Sequence, residues 1–81
     1  MENKLISVIV PCYNENEVII ETHTRLREVC EKIFHDYSAK YEIIYVNDGS
    51  KDGTLKILQL LAEDHNSNNK YSGKIVIISL A

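Results

Sequence analysis

The sequence predicts an α/β fold, a parallel three-stranded sheet assembled in the order β-α-β-α-β. Short apolar runs rich in β-branched residues recur at residues 5–10, 41–46 and 74–80. Between them lie two longer stretches whose apolar residues return at three- and four-residue steps, as one face of a helix requires. Strands that alternate with helices of that length pair in parallel, because the chain must travel back along the sheet before the next strand begins.

The first run, "LISVIV", stops at Pro11. It is apolar on both alternating sides, Ile6, Val8 and Val10 against Leu5 and Ile9, and so reads as a strand covered on both faces. "NENEVIIETHTRLREVCEKIF" follows, with a stripe of Val18, Ile19, Leu26, Val29, Cys30 and Ile33. Asn14 and Glu17 have the spacing of a capping box, which sets the expected helix start near Glu15. "YEIIYV" is the second strand. "SKDGTLKILQLLAED" is the second helix, with Leu55, Leu58, Leu61 and Ala62 on its stripe and Ser50 or Asp52 as its cap. A polar turn region, "HNSNNKYSG", leads into "KIVIISL", a third strand with Val76, Ile78 and Leu80 on one side and Ile75 and Ile77 on the other.

Parallel crossovers are right-handed in nearly every protein. If the three strands step in one direction, both helices must therefore cover the same face and leave the other bare. An exposed apolar face of several hundred Å² is rare on a soluble monomer. The expectation is a single partial domain over residues 1–81, the front portion of a larger α/β domain, with its first strand at an edge. Self-association, by strand or element exchange, is the corollary.

Bulk properties narrow the function. A chain of 81 residues buries only roughly 60–65% of its unfolded surface, so its single core is small. Nine basic against twelve acidic residues give a net charge of −3 with no basic stripe, which argues against nucleic acid as a partner. Cys12 and Cys30 form no metal-ligand spacing and read as reduced, half-buried thiols of a cytosolic protein. His23, His35 and His65 read as helix-surface residues without a zinc pattern. Lys4 precedes only six mostly apolar residues, too few for a signal core or a membrane span. Any membrane contact is expected through parts outside these residues.

The chemistry gathers where ligands of open α/β sheets bind, outside the carboxyl ends of the strands. "PCYNENE" follows the first strand and "NDGSKDGT" the second. Together they offer one aromatic ring, Tyr13, and the carboxylates of Glu15, Asp48 and Asp52. A ring can stack on a base, and a carboxylate can accept N–H groups of the base edge or ribose hydroxyls, so the inventory suits a nucleoside. It lacks a phosphate cradle; Lys51 is the one cation. A dinucleotide fingerprint fails because the first turn has no glycine. A calcium loop matches at Asp48, Ser50, Asp52 and Gly53, but position twelve is Gln59 and the preceding segment is a strand. A plain turn and helix cap accounts for Ser50 and Asp52, and leaves unexplained an Asp48 placed just past the strand to face the cleft.

The pairing of P-x-Y-N-E, at Pro11 to Glu15, with N-D-G-S-x-D-G-T, at Asn47 to Thr54, resembles the start of family 2 glycosyltransferases. That group is inverting and has the GT-A (Rossmann-like) fold; the likeness is greatest to polyprenyl- or dolichol-phosphate mannosyl- and glucosyltransferases and runs from Ile6 to Leu80. The resemblance implies a UDP- or GDP-sugar donor at the strand ends. Pro11, Tyr13 and Glu15 would line the base and ribose site, Val46 would pack on the nucleoside, and Asp48 would accept an imino hydrogen from uracil or guanine. It also implies that the D-x-D segment for Mg²⁺ or Mn²⁺, the catalytic base and the acceptor site lie beyond Ala81. No catalytic residue or metal ligand is therefore expected in this chain, which should be inactive alone. The competing expectation is a non-catalytic, self-associating module that binds a nucleotide or a protein partner.

Overall fold

The computed structural model describes residues 4–67 and 70–80. Its elements are β1 (Lys4–Cys12), α1 (Ile19–Tyr37), β2 (Ala39–Asp48), α2 (Thr54–Asn66) and β3 (Lys74–Leu80). The strands form one parallel sheet in the order β1-β2-β3. The β-α-β-α-β arrangement read from the sequence is therefore observed, and β1 lies at an edge. Because the strands step in one direction, both crossovers fall on the same side: α1 packs on β2, α2 on β3, and the helices touch each other.

Register partners of a parallel pair share a face. Val8 pairs with Ile43 and Ile43 with Ile75, whereas Ile9 pairs with Ile44 and Ile44 with Val76. The first set faces the helices. There Tyr45, Ile43 and Leu58 are inaccessible to solvent, and Ile19, Cys30, Tyr41 and Ile75 complete the core. Nothing covers the second set among the described residues: Leu5 is 61% and Ile9 65% exposed, and Ile78 and Leu80 are nearly half exposed.

The helices depart from expectation in instructive ways. α1 begins at Ile19, after a turn, and Asn14 does not cap it. The side-chain oxygen of Asn14 instead accepts the backbone N–H of Lys51 (2.8 Å), so it is spent on the neighbouring loop. The Glu15 carbonyl accepts the N–H groups of Val18 and Ile19 (3.0 and 2.9 Å) in its place. The buried stripe runs through Ile19, His23 and Cys30, with Leu26 half-buried beside them, while Val18 and Val29, expected inside, are exposed. The helix ends on Ser38 in the left-handed conformation, whose N–H reaches the Phe34 carbonyl. In α2, Thr54, Leu58 and His65 are the buried positions.

Two histidines expected on helix surfaces are thus core residues. His23 shares a 2.8 Å hydrogen bond with the Tyr45 hydroxyl. His65 accepts no solvent either: its Nε2 lies 3.0 Å from the Gly73 carbonyl, and its ring stacks on Tyr71, which Arg27 covers from outside. Their place in the core was masked because a histidine with an internal partner for one ring nitrogen packs like an aromatic residue; the Nδ1 of His65 is buried with no partner among the described residues. His35 is exposed, as expected. Cys12 and Cys30 are free thiols, and they are fully rather than half buried. Burial pushes both thiols up in pKa, which keeps them protonated and unreactive.

The rim at the N-terminal ends of β2 and β3 is fixed by polar side chains. Glu31 accepts from the Tyr41 hydroxyl and from the N–H and hydroxyl of Ser72 (2.8 and 3.1 Å). Burial alone would raise its carboxyl, but these donors hold it below the usual range. The Asn66 amide pairs with both backbone groups of Ile75 at 2.8 Å. Gly73 is required here, since a Cβ would collide with the ring and carbonyl of Tyr41. Of the polar turn region before β3, Asn68 and Asn69 lie outside the described residues.

Candidate functional site

The opposite rim, where all three strands end, carries the two loops singled out in the sequence. β1 hands over to residues 13–18 and β2 to residues 49–53. Gly49 takes φ +69° to turn the chain away from the sheet. Asn14 also sits in the left-handed region (φ 49°), which asparagine tolerates better than most residues.

The loops are fastened to each other. The Asn14 N–H donates to the Ser50 hydroxyl (3.0 Å), the Glu15 N–H to the Thr54 hydroxyl (2.8 Å) and the Asn16 N–H to the Asp52 carboxylate (3.2 Å). The Lys51 N–H returns the exchange to Asn14. The other Asp52 oxygen accepts the N–H (2.9 Å) and hydroxyl of Thr54. The Thr54 hydroxyl, ahead of its own N–H and that of Asn16, draws the Asp52 carboxyl below its ordinary pKa. Sequence reading assigned Ser50 and Asp52 to helix capping. The N-cap position is Gly53 and carries no side-chain cap; Asp52, one residue earlier, holds the first N–H of α2, Ser50 holds none, and both bind the partner loop. A capping motif read along one segment cannot reveal a donor 36 residues away.

The expected nucleotide residues fall into two groups. Pro11 and Val46 are register partners on the bare face, and Asp48, the last residue of β2 rather than a residue past it, lies two positions beyond Val46 on that same face. Asp48 is exposed and pairs in register with Leu80. Tyr13, 55% exposed, follows the end of β1. Glu15 stands apart. It lines a concavity of about 440 Å³ with Asn14, Asn16, Glu17, Val18 and Asp52, and that hollow contains none of the other four. With three carboxylates and no cation on its walls, it does not suit a phosphate. The open rim formed by Pro11, Val46 and Asp48 has an apolar floor ending in an acceptor, which suits the flat edge of a base.

Behind this rim, Asn47 faces the helices. Its amide nitrogen donates to Ser79 (3.3 Å), and its buried oxygen has no partner among the described residues. Among the described residues, no cluster of His, Cys, Asp or Glu could hold a metal ion. No helix among them is long and apolar enough to cross a membrane.

Comparison with known proteins places this arrangement in a family. The model described as "Glycosyl transferase family 2" matches residues 7–80. The uncharacterized glycosyltransferase YkcC of Bacillus subtilis (strain 168) is 47% identical over 53 residues, 65% of this chain and 15% of its own length. The undecaprenyl-phosphate 4-deoxy-4-formamido-L-arabinose transferase of Pseudomonas syringae pv. syringae (strain B728a) is 38% identical over 60 residues, covering 74% of this chain and 17% of that protein. The putative glycosyltransferase CsbB of B. subtilis is 40% identical over 62 residues, covering 76% and 18%. The chain therefore spans less than a fifth of the length of these relatives. No solved structure matches. The family match runs from Ser7 within β1 through both fastened loops to the end of β3, and on that ground the chain belongs to glycosyl transferase family 2.

Proposed function

We propose that residues 1–81 are the nucleotide-binding part of a hexosyltransferase whose donor is a UDP- or GDP-sugar and whose acceptor is a polyprenyl phosphate or a related lipid or glycan. Family membership supports the transferase class. The lipid-phosphate acceptor is supported by the Pseudomonas syringae relative, whose name specifies undecaprenyl phosphate. The observation that carries the donor site is the rim itself: Pro11 and Val46 side by side, with the exposed Asp48 carboxylate on the same face.

In this reading Pro11 and Val46 form the apolar floor under the nucleoside. Asp48 accepts a ring N–H of uracil or guanine, Tyr13 stacks from the adjoining loop, and Glu15 serves the ribose from its separate position. Strand pairing holds Pro11 and Val46, and the fastened loops hold Glu15, before the ligand arrives, which lowers the ordering cost of binding. An inverting transfer also needs a base for the acceptor hydroxyl and a cation for the departing diphosphate. In this reading an Mg²⁺ or Mn²⁺ ion would take the second role in the full-length enzyme, held by segments outside these residues. Binding without turnover is expected from the 81 residues. The two free thiols fit a cytoplasmic protein, and attachment to the cytoplasmic face of a membrane would come through other segments.

Titration of the ¹⁵N-labelled chain with UDP and with GDP tests the donor site. The expected result is chemical-shift change at Tyr13, Val46 and Asp48 that Asp48→Ala abolishes without altering the fold. Silence toward both nucleotides would instead favour a non-catalytic self-associating module, the reading that the bare sheet face supports.

A further inference from the structure

Residues 71–73, which lead into β3, are held to both helices, and each helix contributes a group that acid alters. From α2, His65 stacks on Tyr71 with ring centroids 4.5 Å apart and planes 18° from parallel, and its Nε2 lies 3.0 Å from the Gly73 carbonyl. From α1, the Glu31 carboxylate accepts the N–H and hydroxyl of Ser72, and Arg27 lies 4.7 Å over the ring of Tyr71. A carbonyl only accepts, so Nε2 is the protonated nitrogen of His65 and Nδ1 is a bare lone pair. That nitrogen is buried without a partner among the described residues. A second proton on the ring would enter there, with no acceptor, beside the edge-on ring of His23 at 5.9 Å and with Arg27 across Tyr71. Burying a charge on those terms is costly. The Gly73 carbonyl, Glu31 and Asp64 favour the proton and the Tyr41 ring stands 6.4 Å away, but burial, then Arg27, prevails against it.

We propose that residues 71–73 are a proton-operated latch: a proton on His65, joined by one on Glu31, frees them from α1 and α2 while the sheet stays folded. Both protons act in the same direction. A charge on His65 is relieved when Tyr71 and Gly73 move off and the ring meets water. A proton on Glu31 ends the charge-assisted bonds that hold Ser72, and Cys30 beside it is kept a neutral thiol by burial. The closed latch lowers His65 from 6.5, whereas an open one returns it toward that value. Opening therefore takes up a proton as pH falls below 6.5, and its equilibrium constant rises by up to about tenfold per pH unit until the closed-state value is passed. Burial raises Glu31, but bonds from Tyr41 and Ser72 hold it below 4.5 and add a second uptake under that pH. The opening also has a boundary. Two residues past Gly73, the Asn66 amide grips both backbone groups of Ile75 at 2.8 Å, and an amide does not titrate.

Amide exchange of the 81-residue chain, followed by NMR on both sides of pH 6.5 and corrected for its intrinsic pH dependence, tests the latch. The Ser72 amide should exchange through a more frequent opening than those of Ile75 and Ile43 at every pH. Its opening constant should climb by up to about tenfold per unit below pH 6.5. His65→Phe keeps a ring against Tyr71 without the proton. It should flatten the Ser72 profile, while Ile43 retains the slope that His23 supplies through unfolding of the whole domain. Glu31→Gln should loosen Ser72 at neutral pH and leave the His65 slope in place. Should His65→Phe fail to fold, the comparison of Ser72 with Ile75 in the wild-type chain decides. One opening constant shared by Ser72, Ile75 and Ile43 would mean global unfolding and overturns the latch. So would a flat Ser72 profile, or one that His65→Phe leaves unchanged. A His65 ring that titrates at its ordinary 6.5 in the folded chain overturns it as well, because the closed state would then accept the proton freely.

Discussion

The two faces of the sheet share three strands, one register and nearly the same residue types, yet only one is a core. Ile43 and Ile44 are neighbours in sequence and identical in chemistry; Ile43 is inaccessible beneath the helices, while Ile44 looks out between Ile9 and Val76. Burial here is decided by topology. Strands stepping one way send both right-handed crossovers to one side, and among the described residues nothing packs on the apolar side chains of the other side. Apolar content alone therefore does not indicate what stabilises this chain, because half of its strand side chains contribute little to its present core.

Truncating each neighbour separates the faces most sharply. Ile43→Ala should cost about 2–5 kcal/mol, since a cavity opens among Val8, Tyr45, Leu58 and Ile75. Ile44→Ala removes the same atoms from a half-exposed site and should cost less than about 1 kcal/mol. A domain of this size has roughly 5 kcal/mol to lose, so the first variant should be partly unfolded in water. Urea melts of both, at concentrations too low for association, would measure the contrast. Equal losses would mean that the second face is covered in solution even in the monomer.

On the covered side two histidines, His23 and His65, are buried. Burial, then the neighbouring His65 and Arg27, lowers His23 from 6.5 to about 4, and burial lowers His65 as well. A histidine with a depressed folded pKa is stabilising above its unfolded pKa, and that contribution is lost as pH falls toward the folded value. His23 alone should therefore remove up to about 3 kcal/mol between pH 6.5 and pH 4. Glu31 and Asp52, held low by their donors, lose stability in the same direction at the acid end. Urea midpoints followed over that range should fall steeply for the wild-type chain and more gently for His23→Gln. A flat profile would show that His23 is solvated.

Strand order, the common side of the helices and the bare face all followed from hydrophobic pattern and handedness, because those rules act over whole elements. The family followed from two loop motifs whose spacing in sequence is long but whose residues are specific. What escaped the sequence was pairwise and local. His23 and His65 are buried because Tyr45 and Gly73 each supply a partner, and no periodicity encodes such a bond. Asn14 was read as a cap for its own helix because its partner, Lys51, lies across the rim. Asp48 was expected just past its strand; β2 runs two residues further than its apolar stretch, since pairing with β1 and β3 continues after the hydrophobic side chains stop.

The smallest effect belongs to the place where the two faces meet. Asp52 is exposed, yet it joins the first N–H of α2 to the N–H of Asn16 in the other loop. A local bond to the first N–H of α2 alone predicts that Asp52→Ala costs a little stability and disturbs only the start of α2. A fastener predicts a similar cost together with faster amide exchange at Asn16 and Glu15, some 36 residues away in sequence, because their donors lose a neighbouring anchor. Asp52→Asn keeps an acceptor oxygen and should recover part of both effects. The fastener account also predicts that nucleotide response at Tyr13 weakens in Asp52→Ala although Asp52 is not assigned to the nucleotide. Exchange confined to residues 53–57 would reduce Asp52 to a local bond at the start of α2 and leave the two loops independent.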